Sequence, residues 1–138
     1  MADPVQPSNM AVAAATSALK AEQSRMRVIA ENMANADSTS SVHGGDPYRR
    51  EIPVFEPKMV SGAKGVAMTR IVADDTQFGS EYAPGHPAAD AQGYVKLPNV
   101  NPMMEAIDMR SAQRAYQANI SVIETANEMD TATLSIIK

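Results

Sequence analysis

The chain has no cysteine and no tryptophan among its 138 residues. The first absence excludes disulfides and thiolate metal sites. It is common in small proteins, and it also suits a chain delivered unfolded into an oxidising space, where stray thiols do harm. Aromatic residues make up only 4%, two Phe and four Tyr. Large rings supply much of the buried area in small cores, so a core built on them is excluded. The ten methionines and the many alanines take their place, and both suit contact between helices. Positive charge is sparse and scattered, with 12 Lys and Arg against 16 Asp and Glu. Without a basic stripe the chain has no footprint for nucleic acid. No apolar run approaches the roughly 20 residues of a membrane span, so direct membrane insertion is not expected. Met1-Ala2-Asp3-Pro4 is acidic where a secretory signal is basic. Composition alone therefore reads as soluble and cytoplasmic.

What the chain has is helical periodicity at both ends. Val12, Ala15, Leu19, Glu22, Met26, Ile29, Met33 and Ala36 recur at spacings of three and four. Ser111, Ala115, Ala118, Val122, Thr125, Met129, Ala132 and Ile136 repeat the pattern. Such spacing makes a seam that packs against other helices. A second stripe, Met109, Ala112, Tyr116, Ile120 and Ile123, runs along the C-terminal segment. A helix apolar on more than one side has more than one packing partner. The large apolar residues are diluted with Ala, Ser and Thr, so a helical hairpin buries little by itself, and packing against neighbouring copies buries more.

The first helix should start near Ser8 or Asn9, both good N-caps, and run to about Asn35. Asp37 to Ser41 and Gly44-Gly45-Asp46-Pro47 then favour turns. Strands are expected at Glu51–Phe55, Val66–Val72, Phe78–Tyr82 and Tyr94–Leu97. Pro53 confines the first of them to a sheet edge. Asn101 followed by Pro102 is the clearest helix start in the chain. From there no Pro or Gly intervenes before Lys138. The expected fold is α+β, mainly α. Residues 1–40 form an N-terminal axial helix and 101–138 a C-terminal one, packed as a coiled-coil-like pair in one core domain. Residues 41–100 form a small antiparallel β region between them.

No catalytic constellation emerges. His43 and His86 lie in Gly/Pro loops without metal-ligand spacing. Asp74-Asp75 lacks a calcium-loop pattern and reads as a solvated turn. Gly44-Gly45 has no phosphate-loop lysine, and Gly79-Ser80 no nucleophile-elbow pattern. Glu51 and Glu56 carry no mark of a buried acid–base pair. The chain is read as a non-enzyme that needs no cofactor and no metal. Asn32 and Asn35, three apart at the end of the first helix, are open to two readings. Asn suits the left-handed turn of a helix C-terminus, or both amides bond to neighbouring chains.

Ile29-Ala30-Glu31-Asn32-Met33-Ala34-Asn35-Ala36-Asp37 resembles the N-terminal signature of bacterial flagellar axial proteins, with its Asn-x-x-Asn core. Asp46-Pro47-Tyr48-Arg49-Arg50, Ala89 to Val95 and Leu97-Pro98-Asn99-Val100-Asn101 narrow this to the basal-body rod protein family. Ser111-Ala112-Gln113-Arg114-Ala115-Tyr116-Gln117-Ala118-Asn119 looks like the C-terminal helix of its proximal-rod members. The resemblance implies a structural subunit that leaves the cell through the flagellar type III apparatus and polymerises in the periplasm. Its terminal helices would form an inner tube that walls the export channel and serves as drive shaft. Implied partners are copies of the chain, other rod proteins, and MS-ring and export-gate components at the rod base. Leu19, Met26, Ile29, Asn32, Met33 and Asn35 would contribute from the first helix. Arg114, Ala115, Tyr116, Ala118, Asn119, Val122, Met129 and Ile136 would contribute from the second. Arg49 and Arg50 are further candidates for bonds to adjacent subunits. A different axial subunit, or a small periplasmic peptidoglycan hydrolase, are the competing readings. The hydrolase would need a catalytic carboxylate or metal motif that the residues do not show.

Overall fold

A computed structural model describes residues 7–136. Two long helices, α1 (Pro7–Ala34) and α2 (Pro102–Ile136), stand at either end of the chain order. Between them lie β1 (Glu51–Val60), β2 (Ala63–Ala73), β3 (Gly79–Tyr82) and β4 (Tyr94–Leu97). The strands form two two-stranded sheets, β1 with β2 and β3 with β4. This is the expected α+β class with a small β region between terminal helices. The expected continuation of the second helix to Lys138 lies outside the described residues. No described helix is long and apolar enough to cross a membrane.

Local chemistry explains the element ends. α1 begins at Pro7, one residue before the expected cap. Proline lacks an amide hydrogen that a first helical turn leaves unbonded in any case. At its other end the bonds tighten: the Ala36 amide donates to Met33 O at 3.3 Å and the Ser38 amide to Asn35 O at 3.1 Å. α2 starts as Asn101 and Pro102 require. Asn101 Oδ1 accepts the Met103 amide at 3.0 Å and the Met104 amide at 3.3 Å.

β1 runs five residues beyond its expected end, through Pro57. Pro53 and Pro57 lie an even number of residues apart, so their nitrogens face the same edge. In a two-stranded ribbon one edge is free and needs no donors. The turn to β2 is Ser61-Gly62, with φ of 49° and 81°. Two positive φ angles in a two-residue loop make a type I′ turn, whose twist matches its strands. β3 and β4 pair antiparallel from Gly79↔Leu97 to Tyr82↔Tyr94.

The chain divides into two compact units, each drawing on both helices. The first comprises α1 up to Met26, Val54–Arg70 and the chain from Arg110 onward. Its buried residues are small: Ala15, Ser17, Ala21, Ala63, Ala112 and Ala126. Small side chains let backbones approach closely. The Val66 amide donates to Ser17 Oγ at 3.1 Å, and Ser17 in turn donates to Ala14 O at 2.7 Å. A methyl group added at Gly65 would overlap Ser17 Oγ, so glycine is required by this approach of β2 to α1.

The second unit comprises Arg27–Pro53 and Ile71–Met109. Ala88, Ala89 and Val95 make a small apolar cluster with Ala83 beside the β3–β4 ribbon. Val28, Ile29, Asn32 and Glu105 are also buried in this unit. Two of these four are polar, and they organise the site described next.

Candidate assembly site

Asn32 lies in the last turns of α1 and is 1% exposed. Its Oδ1 accepts the Tyr48 hydroxyl at 2.9 Å and the Glu51 amide at 2.8 Å. Its Nδ2 donates to Glu51 O at 2.9 Å and to Glu105 Oε2 at 3.2 Å. A primary amide has two donors and two acceptor positions, and all four are used. The side chain therefore binds the start of β1 as a neighbouring strand would, and fastens it to α2.

Glu105, in the first turn of α2, is fully buried. Its second oxygen accepts Arg50 Nε at 2.6 Å. Arg50 also faces Asp74 Oδ2 at 3.4 Å and Asp108 Oδ2 at 3.9 Å. Burial works against the guanidinium charge, but the bonds and charges of Glu105 and then Asp74 together outweigh it and hold Arg50 more firmly protonated than usual. Asp74 is kept below the ordinary carboxylate range, first by the Thr76 amide and then by the Thr76 and Arg50 side chains. Asn99 completes the cluster. Its Oδ1 accepts the Arg50 amide at 2.7 Å and its Nδ2 donates to Asp74 O at 3.0 Å. Donors and acceptors are spent on one another, so the cluster fastens chain segments together and presents no reactive group. Among the described residues no three His, Asp or Glu are grouped to hold a metal.

Tyr48 gives this cluster a measurable signature. Burial, followed by the charges of Glu51, Glu31 and Glu105, pushes its phenol up to about 12. A raised pKa favours the protonated form in the folded chain, so the stabilisation is complete below pH 10, the ordinary tyrosine value, and lost as pH rises towards 12. Absorbance titration should show one phenol ionising late, and Tyr48→Phe should remove that step alone.

Several residues singled out in the sequence have partners within the chain. Asn32 and Asn35 bond within the chain, Asn35 through Nδ2 to Glu31 O at 2.8 Å. Arg50 is used internally. Arg49 likewise donates to Asp74 O at 2.8 Å and stacks 4.2 Å from the centroid of the Phe78 ring. Asp74, read as a solvated turn, is a partner of both arginines. Nothing in residue spacing could join Asn32, Tyr48, Arg50 and Glu105, because their proximity arises from chain reversals.

The assigned seams divide in a telling way. On α1, Ile29 is buried and Leu19 and Met26 half-buried, while Met33 is exposed. On α2 the second stripe turns inward: Ala112 is buried, and Met109, Tyr116, Ile120 and Ile123 are half-buried. The first seam turns outward. Ala115 and Asn119 are half-buried, but Arg114 and Ala118 are exposed, as are Val122 at 44%, Met129 at 64% and Ile136 at 84%. Asn119 Nδ2 bonds back to Ala115 O at 2.8 Å. Val122 lines an open groove in the first unit together with Ala11, Ala14 and Ala18 of α1.

Comparison with known proteins agrees with these features. A family profile described as flagella basal body rod protein matches residues 13–40. Another, flagellar basal body rod FlgEFG protein C-terminal, matches residues 91–136. The chain is 40% identical to the flagellar basal-body rod protein FlgC of Agrobacterium fabrum, over 97% of the chain and 98% of that protein. It is 41% identical to FlgC of Escherichia coli O6:H1, covering 88% and 92%, and 35% identical to FlgC of Bacillus subtilis, covering 88% and 93%.

Proposed function

Since the chain belongs to the FlgC family of flagellar basal-body rod proteins, we propose that it is built into the rod through its terminal helices, with the outward seam of α2 as the principal contact. It is a structural subunit of the basal-body rod, working with other rod components, and not an enzyme. Residues 1–40 and 101–138 supply the axial helices of one core domain, and 41–100 the small β-rich region. Packed side by side in copies of the chain and in other rod proteins, those helices make the drive shaft and the wall of the export channel. Partners at the rod base are MS-ring and export-gate components. Assembly takes place in the periplasm after passage through the flagellar type III apparatus.

One observation carries this reading. α2 has two apolar stripes; the chain covers one and leaves Val122, Met129 and Ile136 on the other. Seven-residue spacing on an open helix face is the pattern of a seam awaiting a helix. Hydrogen exchange tests it. The amides of residues 118–136 should exchange quickly in a dilute monomer, since exposed helices without packing are marginal, and slowly in isolated basal bodies. Full protection in the monomer would refute the reading.

A further inference from the structure

The first unit contains a groove of about 720 Å³ between α1 and the β1–β2 hairpin. Ala21, Val60, Met59 and Met68 line it, together with Lys20 and Lys58. No acidic residue lines it. Both lysines are exposed. A groove of methionine and small side chains adapts to an inserted apolar ridge, and two ammonium groups beside it favour a ridge with acidic flanks.

The chain itself carries such a ridge. Residues 115–136 contain Glu124, Glu128 and Asp130 and no lysine or arginine. At 100° per residue, Glu128 and Asp130 project on opposite sides of the line through Val122, Met129 and Ile136. We infer that the acidic, apolar C-terminal part of α2 from a second copy of this chain lies in the Lys20–Lys58 groove. Groove and ridge are different surfaces, so the contact is head-to-tail. Such contacts propagate into open helical arrays unless their rotation closes a ring. The inference deepens the rod reading and rests on it: it names the surface that receives the α2 seam, and it gives the hairpin a part in assembly beyond that of the terminal helices.

The absence of cysteine makes the test direct. A Met59→Cys chain and a Met129→Cys chain are produced together in cells lacking the natural protein, and isolated basal bodies are mildly oxidised. A disulfide-linked dimer of the two variants should form in several-fold excess over a control in which Tyr82→Cys replaces Met59→Cys. Rods that assemble and turn without that dimer overturn the inference and leave the rod reading standing. So does a link from the Met59→Cys chain to a different rod protein. A second arm needs no cysteine. Lys20→Glu with Lys58→Glu should abolish swimming, as should Glu128→Lys with Asp130→Lys, and the chain bearing all four should regain most of it. A four-fold variant no better than either pair overturns the inference even where the cysteine chains fail to incorporate. Chains that fold but enter no rod under any arm speak against the rod reading itself.

Discussion

Asn32→Leu lowers the stability of the isolated chain by roughly 3–5 kcal/mol, because it strands several buried polar groups at once. The leucine fills similar space, so a cavity is not the cause. What remains is the Glu51 amide and carbonyl, the Tyr48 hydroxyl and one oxygen of the fully buried Glu105, each without the partner it has at 2.8–3.2 Å. Asn32→Asp should be damaging for a different reason. It replaces the amide donor facing Glu105 Oε2 with a second carboxylate oxygen, and like charges so placed repel. Lowering the pH should recover part of the Asp variant's loss and none of the leucine variant's. Urea unfolding followed by circular dichroism measures both. A leucine variant as stable as the parent would show that the amide cluster is dispensable for the fold.

Val122→Asp separates folding from assembly. At 44% exposure in the single chain, Val122 can accept a carboxylate with a stability change within about 0.5 kcal/mol, as at ordinary surface positions. In a dry helix seam the same carboxylate costs several kcal/mol, so the variant should fold normally, fail to form rods and abolish swimming. Thermal unfolding and a motility assay read the two halves. Normal motility would remove Val122 from the seam. A large loss of monomer stability would show that its role lies inside the chain. Met129→Asp should behave alike, with a smaller effect on folding, since Met129 is more exposed.

The two substitutions differ in how visible their sites were beforehand. Val122 stands in a three-four repeat that anyone can read along the chain. Which of the two stripes on α2 turns inward was not readable, since both are apolar at helical spacing. The stripe through Ala112 turned inward, with Ala112 buried and Met109, Tyr116, Ile120 and Ile123 half-buried, while Val122 and Met129 were left outside. Asn32 was visible as a residue, but its work was not. An asparagine near a helix end has an ordinary local explanation in the left-handed turn, but among the described residues only Ser61 and glycines take positive φ, and Asn35 instead bonds to Glu31 O four residues earlier. Asn32, three residues away, bonds instead to Tyr48, Glu51 and Glu105.

Sequence alone determined what depends on neighbours in the chain: the helical spans, the Asn101–Pro102 start, the Tyr94–Leu97 strand and the motifs that point to the rod family. These follow from backbone sterics, capping and periodicity, which act over a few residues. Tertiary structure alone decided that Arg50 pairs with the buried Glu105, 55 residues apart in sequence, that the hairpin turns at Ser61-Gly62 and rests on Ser17, and which face of α2 is left for a partner. Those outcomes depend on desolvation and close packing between segments distant in sequence, and no short-range signal encodes which buried charge will find which counterpart.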